Sequence, residues 1–279
     1  MNPGLTAGIF SLIAALTWGA GDFSGGVATK RTNAYGVVIV AHAASLLLLV
    51  LGALVMRAPF PPLSTWLWGG AAGLAGGFGL MLLYNALANG RMSVAAPVSA
   101  LVAAGIPVVV AMFTDGLPGT LVLIGFVLAL TAIWFVSGGG GAGFALADLW
   151  TPLLAGMAFG FFFISLHQAS IGSVLYALIA VRIVSISSLL IFATITRQPI
   201  QPARDSIIPI LMSGLLDTIG NGAYALATQY GRVDVAVVLG SLYPGSTVLL
   251  AWILLKERIN RLQMVGIVAA LVAIVLISR

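Results

Sequence analysis

The chain has 279 residues, of which 61% are hydrophobic and only 7% charged, with a mean hydropathy of +1.14. A soluble domain carries roughly a quarter charged residues because its surface must meet water, so this composition excludes a water-covered globule and makes the lipid bilayer its partner. The net charge is +5, but the Lys and Arg fall in ones and twos between apolar runs, which is the pattern of membrane loops and not of a nucleic-acid face.

Cysteine is absent, which excludes disulfides, thiolate nucleophiles and cysteine-ligated metals. An apolar helix needs about 20 residues to cross the hydrocarbon core. The N-terminal run MNPGLTAGIF carries no basic residue and reads as a retained span instead of a cleaved leader. Spans are predicted at 5–25, 34–56, 65–88, 93–113 and 118–137. After a glycine-rich stretch, five more follow at 150–168, 173–196, 206–229, 234–255 and 261–278. Breaks such as TKRTN, MRAPFPP, TRQPIQPARD and KERINR separate them, and no loop is long enough for a soluble domain.

Polar residues inside these spans are the candidate site. A mid-span charge costs about 2.5–3.5 kcal/mol on insertion scales, and such groups face a cavity or one another. Span one carries Trp18 and Asp22, four residues apart on one helical face. Asp22 reads either as a solvated residue of the mouth or as a carboxylate attracting a cationic group. His42 sits mid-way along span two and is either a hydrogen-bonded core residue or a proton carrier. Tyr84 and Asn85 close span three, while Phe163 and His167 lie in span six. Arg182 lies in span seven and Asp217 near the middle of span eight, followed by Asn221 and Tyr224. Neighbouring spans place Arg182 and Asp217 within reach of each other, as a structural ion pair or as cargo ligands. Tyr243 opens the last candidate position, in span nine.

Sliding the chain against itself by 141 residues aligns Gly19 with Gly160, Tyr35 with Tyr176, Pro61 with Pro202 and Gly73 with Gly214. It also aligns Gly79 with Gly220, Gly90-Arg91 with Gly231-Arg232 and Gly125 with Gly266. One gapless offset means a duplication. Five spans per half is an odd number, so the second half enters the membrane from the opposite side. The expected fold is an all-α membrane protein of ten transmembrane helices, an inverted five-plus-five repeat. Its first repeat covers 1–138, a Gly-rich linker 139–148 and the second repeat 149–279. Inverted repeats characterise secondary transporters, whose sites lie where the halves meet. Lys30, Arg31, Arg91, Arg197, Arg204, Lys256, Arg258 and Arg261 gather on one side, against Arg57, Arg232 and Arg279 on the other. The positive-inside rule then puts both termini outside.

The segment LYPGSTVLLAWILLKERINRLQMVGIVAALVAIVLIS, Leu242 to Ser278, resembles the end of an EamA-type repeat of the drug/metabolite transporter superfamily. A proline opens a span, a glutamate ends it, and a glutamine and a glycine follow, here Pro244, Glu257, Gln263 and Gly266. The first half carries a worn copy, YNALANGRMSVAAPVSALVAAGIPVVVAMF, and LTWGAGDFSGG fits the family's first span. The resemblance implies a ten-helix carrier with a central cavity, lined from spans one, three, six, eight and nine, where Trp18, Tyr84, Phe163, Tyr224 and Tyr243 fall. Relatives move amino acids, sugars, nucleotide sugars, other metabolites or cationic drugs.

The expected activity is alternating-access transport of a small polar metabolite, with an amino-acid-like exporter favoured because an acidic and a basic group suit a zwitterion. The transport is expected to be uncoupled or proton-coupled. The runner-up is multidrug or cation efflux, or sugar uptake, on the same fold. No cofactor or metal motif is present, and a monomer or homodimer in a bacterial inner membrane is expected. Gly19-Ala20-Gly21-Asp22 also matches the GxGD signature of intramembrane aspartyl proteases, with Asp217 as partner, but the order is reversed and such enzymes lack this repeat. A channel would use rings of like groups, which the sparse polar set does not offer.

Overall fold

A computed structural model of the chain describes residues 3–88, 92–136, 150–255 and 260–277. The expected linker at 139–148 and the Lys256-Glu257-Arg258 cluster lie outside the described residues. Among the described residues the regular structure is helical throughout: α1 (Pro3–Thr29), α2 (Ala34–Val55), α3 (Leu63–Ala88), α4 (Met92–Thr114) and α5 (Thr120–Val136). Then come α6 (Trp150–Ser170), α7 (Val174–Ile195), α8 (Ile207–Tyr230), α9 (Val233–Gly240), α10 (Tyr243–Leu255) and α11 (Arg261–Ile277). Five of these, in α1, α2, α3, α6 and α7, are long and apolar enough to cross a membrane. Shorter apolar helices cover Ser99–Thr114, Thr120–Phe135 and Arg261–Ile277. Outer faces are apolar as well, with Leu47, Leu51, Leu54 and Ile191 exposed, so the helices are hydrophobic nearly all round, as a bilayer requires.

One predicted span differs. The run 234–255 is two helices, α9 and α10, interrupted by a turn at Ser241 and Leu242. Pro244 lacks an amide hydrogen and its ring clashes with the carbonyl four residues back, at Gly240, so the first helix stops there. Helix α1 also runs past its predicted end at 25 to Thr29, which moves Asp22 into the helix interior.

Two helix entries and exits match in kind. Asn33 caps α2, its side chain accepting from the Tyr35 amide at 3.0 Å, and Ser173 caps α7, accepting from the Tyr176 amide at 3.3 Å. The exits close with a 6→1 bond, Ala58 N to Ala53 O at 3.1 Å and Gln198 N to Ala193 O at 2.8 Å. Each places an arginine in the left-handed region, Arg57 at φ 48° and Arg197 at φ 53°. The positive charge at a helix C-terminus offsets part of that strain.

Helix α1 packs along α8, α3 along α6 and α7, and α5 along α11, while α2 lies against both α7 and α8. Glycines set these close approaches. A Cβ on Gly214 would lie 2.2 Å from the Ala41 carbonyl oxygen, and one on Gly73 would lie 2.4 Å from that of Val181. A Cβ on Gly220 would strike the Trp18 ring at 2.6 Å, and one on Gly79 the Phe159 ring at 3.0 Å. Each of these pairs becomes the other when both of its numbers are shifted by 140 or 141. Substituting Gly214→Ala is expected to lower stability by about 1–3 kcal/mol through overpacking. Gly52→Ala, where a Cβ meets nothing within 4 Å, should leave it unchanged or slightly raised; thermal unfolding of the detergent-purified protein checks both.

Candidate functional site

The centre of the molecule is a polar knot. The Arg182 side chain of α7 is 1% exposed. Its Nη2 donates to Asp217 Oδ2 at 2.5 Å and to Thr218 Oγ1 at 2.8 Å, both on α8. Its Nη1 lies 3.1 Å from His42 Nε2 on α2. A guanidinium only donates, so His42 Nε2 must accept and the ring's proton sits on Nδ1. That nitrogen donates to Ser185 Oγ at 2.8 Å. On the far side, Asn221 Nδ2 donates to Asp217 Oδ2 at 3.0 Å, and Asn221 Oδ1 accepts from Trp18 Nε1 at 2.9 Å. One hydrogen-bonded line thus runs from α7 and α2 through α8 to α1. Thr218 keeps its own proton on the Gly214 carbonyl at 2.7 Å, which frees its lone pairs for Arg182.

Local sequence explains the convergence. Arg182 and Ser185 are three apart on α7 and share a face, as do Asp217 and Asn221, four apart on α8. Counted from the first residues of their helices, Ala34 and Val174, His42 and Arg182 hold the same position. Beside the knot, Gly77 makes room for the Ser185 hydroxyl, which a Cβ there would meet at 2.3 Å.

A cavity of about 50 Å³ opens against this knot. His42, Arg182, Asp217 and Asn221 form its polar wall, and Trp18, Phe159, Phe162, Phe163 and Tyr243 form aromatic ones. Asp22 lines the same space, and its carboxylate has no hydrogen-bond partner among the described residues. The volume admits a few waters and falls well under the roughly 300–1,000 Å³ of sites enclosing drug-sized ligands. A metabolite-sized solute exceeds this volume.

Of the residues expected from the sequence, Trp18, Asp22, His42, Phe163, Arg182, Asp217, Asn221 and Tyr243 meet at this cavity. Tyr84, Asn85, His167 and Tyr224 do not line it. Tyr84 is buried with its hydroxyl 2.9 Å from Ser213 Oγ, filling space over Gly25. Tyr224 donates to the Phe163 carbonyl at 3.0 Å and packs on the Phe163 and Trp18 rings, which makes it a support of the wall. Asn85 bonds back to Met81 Sδ at 3.0 Å, and half-buried His167 sits in the last turn of α6. Ser185, Thr218, Phe159 and Phe162 were missed. Ser185 lies on the face already marked by Arg182, Thr218 follows Asp217 directly, and Phe159 is Trp18 shifted by 141.

Contacts among loops and helix ends join the elements at both ends of the helices. At one, Arg31 pairs with Asp205, Asn33 Nδ2 donates to Gln198 Oε1 at 3.2 Å, and the Ala203 amide donates to Thr32 Oγ1 at 3.0 Å. At the other, the Tyr176 hydroxyl donates to the Ala58 carbonyl at 3.1 Å. Arg232 there donates to the carbonyls of Asp115 and Gly116 at 3.2 and 2.8 Å. Arg232 is steadied by fully buried Asp234, at 2.9 Å from Nη2. The Asp234 hydrogen bonds, and then its charge and that of Asp115, hold the Arg232 proton more tightly than usual. Asp234 is the acidic partner that sequence reasoning passed over, although Arg232 stands two residues before it.

Membrane-length apolar helices around a central cavity walled by a buried ion pair define an integral membrane protein. Residues 146–279 match the model of the EamA-like transporter family. An uncharacterized protein of Methanocaldococcus jannaschii is 32% identical over 104 residues, 37% of this chain and 76% of that one. The chain belongs to the EamA-like transporter family, and so to the membrane transporters of the drug/metabolite transporter superfamily. A crystal structure titled only as a protein superposes with a TM-score of 0.80, over 97% of this chain and 95% of that one, at 14% identity. That likeness is one of fold.

Removing one partner of the central pair strands a buried charge. Arg182→Leu is expected to destabilise the protein by about 3–5 kcal/mol, whereas Arg182→Leu combined with Asp217→Leu should recover much of that loss. Denaturation of the single and double variants in detergent checks this.

Proposed function

We propose that the chain is a secondary transporter built as an inverted repeat of five and five spans, 1–138 and 149–279 about the linker 139–148. It carries a small polar solute through the central cavity by alternating access, in the plasma membrane of a bacterium. The observation that carries this reading is the exchange of contacts: Gly73 on Val181 for Gly214 on Ala41, and Gly79 on Phe159 for Gly220 on Trp18. A pseudo-twofold relation between the halves requires such exchange, and the cavity lies where they meet. The loop contacts at both ends bridge the two halves, so breaking one set while keeping the other gives two access states.

Cargo chemistry follows from which groups are already engaged. An amino-acid-like cargo, the first expectation from sequence, needs a cation for its carboxylate. Arg182 is held by Asp217, Thr218 and His42, so a cargo carboxylate has to displace Asp217 to reach it. A two-aspartate protease loses support for the same reason, since Asp217 is ion-paired instead of sharing a proton with Asp22.

The chain has no cysteine, so single-cysteine variants report topology directly. Lys30 and Ile171 are equivalent under the 141-residue offset, and both are exposed at loops. Lys30→Cys and Ile171→Cys are expected to react with a membrane-impermeant maleimide from opposite sides, Lys30→Cys from the cytoplasm. Labelling from the same side would contradict inversion. In proteoliposomes, a cleavable thiol cross-linker joining Arg31→Cys to Asp205→Cys should arrest solute counterflow, with recovery on cleavage. Undiminished counterflow in the cross-linked protein would remove this end as a gate.

A further inference from the structure

We propose that Arg57 and Arg197 each bind the phosphate of a phospholipid, one lipid at either end of the α2–α7 pair. The proposal rests on the membrane location of the chain and is independent of the carrier reading.

The first support is the residue type at a position that disfavours it. Among the described residues, Arg57 and Arg197 are the two other than glycine with positive φ. That conformation crowds Cβ against the following carbonyl oxygen, so glycine or asparagine usually ends a helix this way. Both ends carry arginine instead, 140 positions apart and each directly after a C-cap, Met56 on α2 and Thr196 on α7. Complementing the helix dipole does not require this placement, because a basic residue in the last turn does so at ordinary φ. Neither last turn contains one. Both arginine side chains are exposed, and neither has a hydrogen-bond or ion-pair partner among the described residues.

The second support is depth. Helices α2 and α7 have 22 residues each, which at about 1.5 Å per residue gives about 33 Å, close to the hydrocarbon thickness. The residues just before each arginine are open and apolar, Val55 at 83% and Ile195 at 74% exposure. They mark the edge of the hydrocarbon, so each guanidinium sits at headgroup level. The third support is what flanks them. Helices α2 and α7 pack antiparallel, so the start of one meets the end of the other. In the first turn of α7, the Tyr176 hydroxyl donates to the Ala58 carbonyl beside Arg57, at 3.1 Å. In the first turn of α2, Tyr35 stacks on Phe192, and its hydroxyl lies against the Thr196 side chain beside Arg197. Tyr35 and Tyr176 are equivalent under the 141-residue offset. Further rings adjoin each tyrosine, Phe60 and Trp66 at one end and Phe78, through Phe192, at the other. A guanidinium fork matches a phosphate, aromatic residues favour the headgroup level, and the anion abundant at that depth is the phospholipid phosphate.

The test uses the full chain, delipidated in a maltoside detergent without phosphate. The probes are dioleoylphosphatidylglycerol, dioleoylglycerol, which has the same chains and no phosphate, and inorganic phosphate. Native mass spectrometry at limiting lipid counts what is retained, and thermal unfolding reads stabilisation by ligand. Wild type is expected to retain two molecules of phosphatidylglycerol, Arg57→Gln or Arg197→Gln one, and the double variant none. Dioleoylglycerol and inorganic phosphate should be neither retained nor stabilising. Arg57→Gly and Arg197→Gly separate lipid binding from a purely structural role, because glycine suits the left-handed position. Each should melt at or above the wild-type temperature without lipid, yet lose part of the rise that phosphatidylglycerol gives. Equal retention by wild type and the double variant overturns the proposal, as does equal retention of dioleoylglycerol. Stabilisation by inorganic phosphate equal to that by the lipid would make these anion sites and not lipid sites. Glycine variants that melt lower by the same amount with and without lipid would leave the arginines as helix-end charges alone, and the lipid assignment falls.

Discussion

The buried guanidinium of Arg182 is the constraint on which the centre of this protein depends. A cation inside a bilayer has to find an anion, and Asp217 supplies it at 2.5 Å. The pair alone would leave donors unmet, so Thr218 and His42 take two more of them. Each of those partners is in turn fixed, Thr218 by the Gly214 carbonyl and His42 by Ser185. The network orients α2, α7 and α8 together and, through Asn221 and Trp18, reaches α1. Low dielectric makes such a network strong when complete and costly when broken. That accounts for an ion pair being kept where a leucine would be cheaper to insert.

Around this knot, positions related by the 141-residue offset carry unlike side chains. Gly76 and Gly77 stand where the second half has Asp217 and Thr218, and Asp22 stands where it has Phe163. Size is exchanged across the contact: Phe162 leans on Gly76, while Gly21 lies against the Asp217 backbone. In the proposed carrier, such a repeat would suit rocking between two access states. The two ends carry different contacts, an exposed Arg31–Asp205 pair at one and an arginine bound to loop carbonyls at the other. Exposed pairs contribute little stability, which is compatible with an end that opens.

Much of this was legible in the sequence because a bilayer makes polar residues conspicuous. Arg182, Asp217 and His42 stand out in apolar runs, and the structure brings them into contact. The 141-residue offset located Gly73, Gly214, Gly79 and Gly220, whose missing side chains let helix and ring approach. The offset placed His42 one residue away from Arg182, and only the helix starts, at Ala34 and Val174, align them. The pairing of Trp18 with Asn221 joins residues 203 apart and depends on packing that no local pattern encodes. Tyr84 and Tyr224 misled because an aromatic ring in a span looks the same whether it lines a cavity or fills a gap over glycine. The break at Ser241 was signalled by Pro244, but an unbroken apolar run hid it. Asp234, the first residue of the predicted span 234–255, was overlooked although its burial is complete.

The most direct measurement is of His42 itself. Replacing His167 by Gln leaves a single histidine, since the chain has only two, and nitrogen-15 spectra of the ring in lipid at neutral pH then report its protonation. The account predicts a neutral ring with the proton on Nδ1 and Nε2 shifted as a hydrogen-bond acceptor, lost on Arg182→Leu. A proton on Nε2, or an imidazolium, would mean that Arg182 does not donate to His42 and that the central knot is arranged differently.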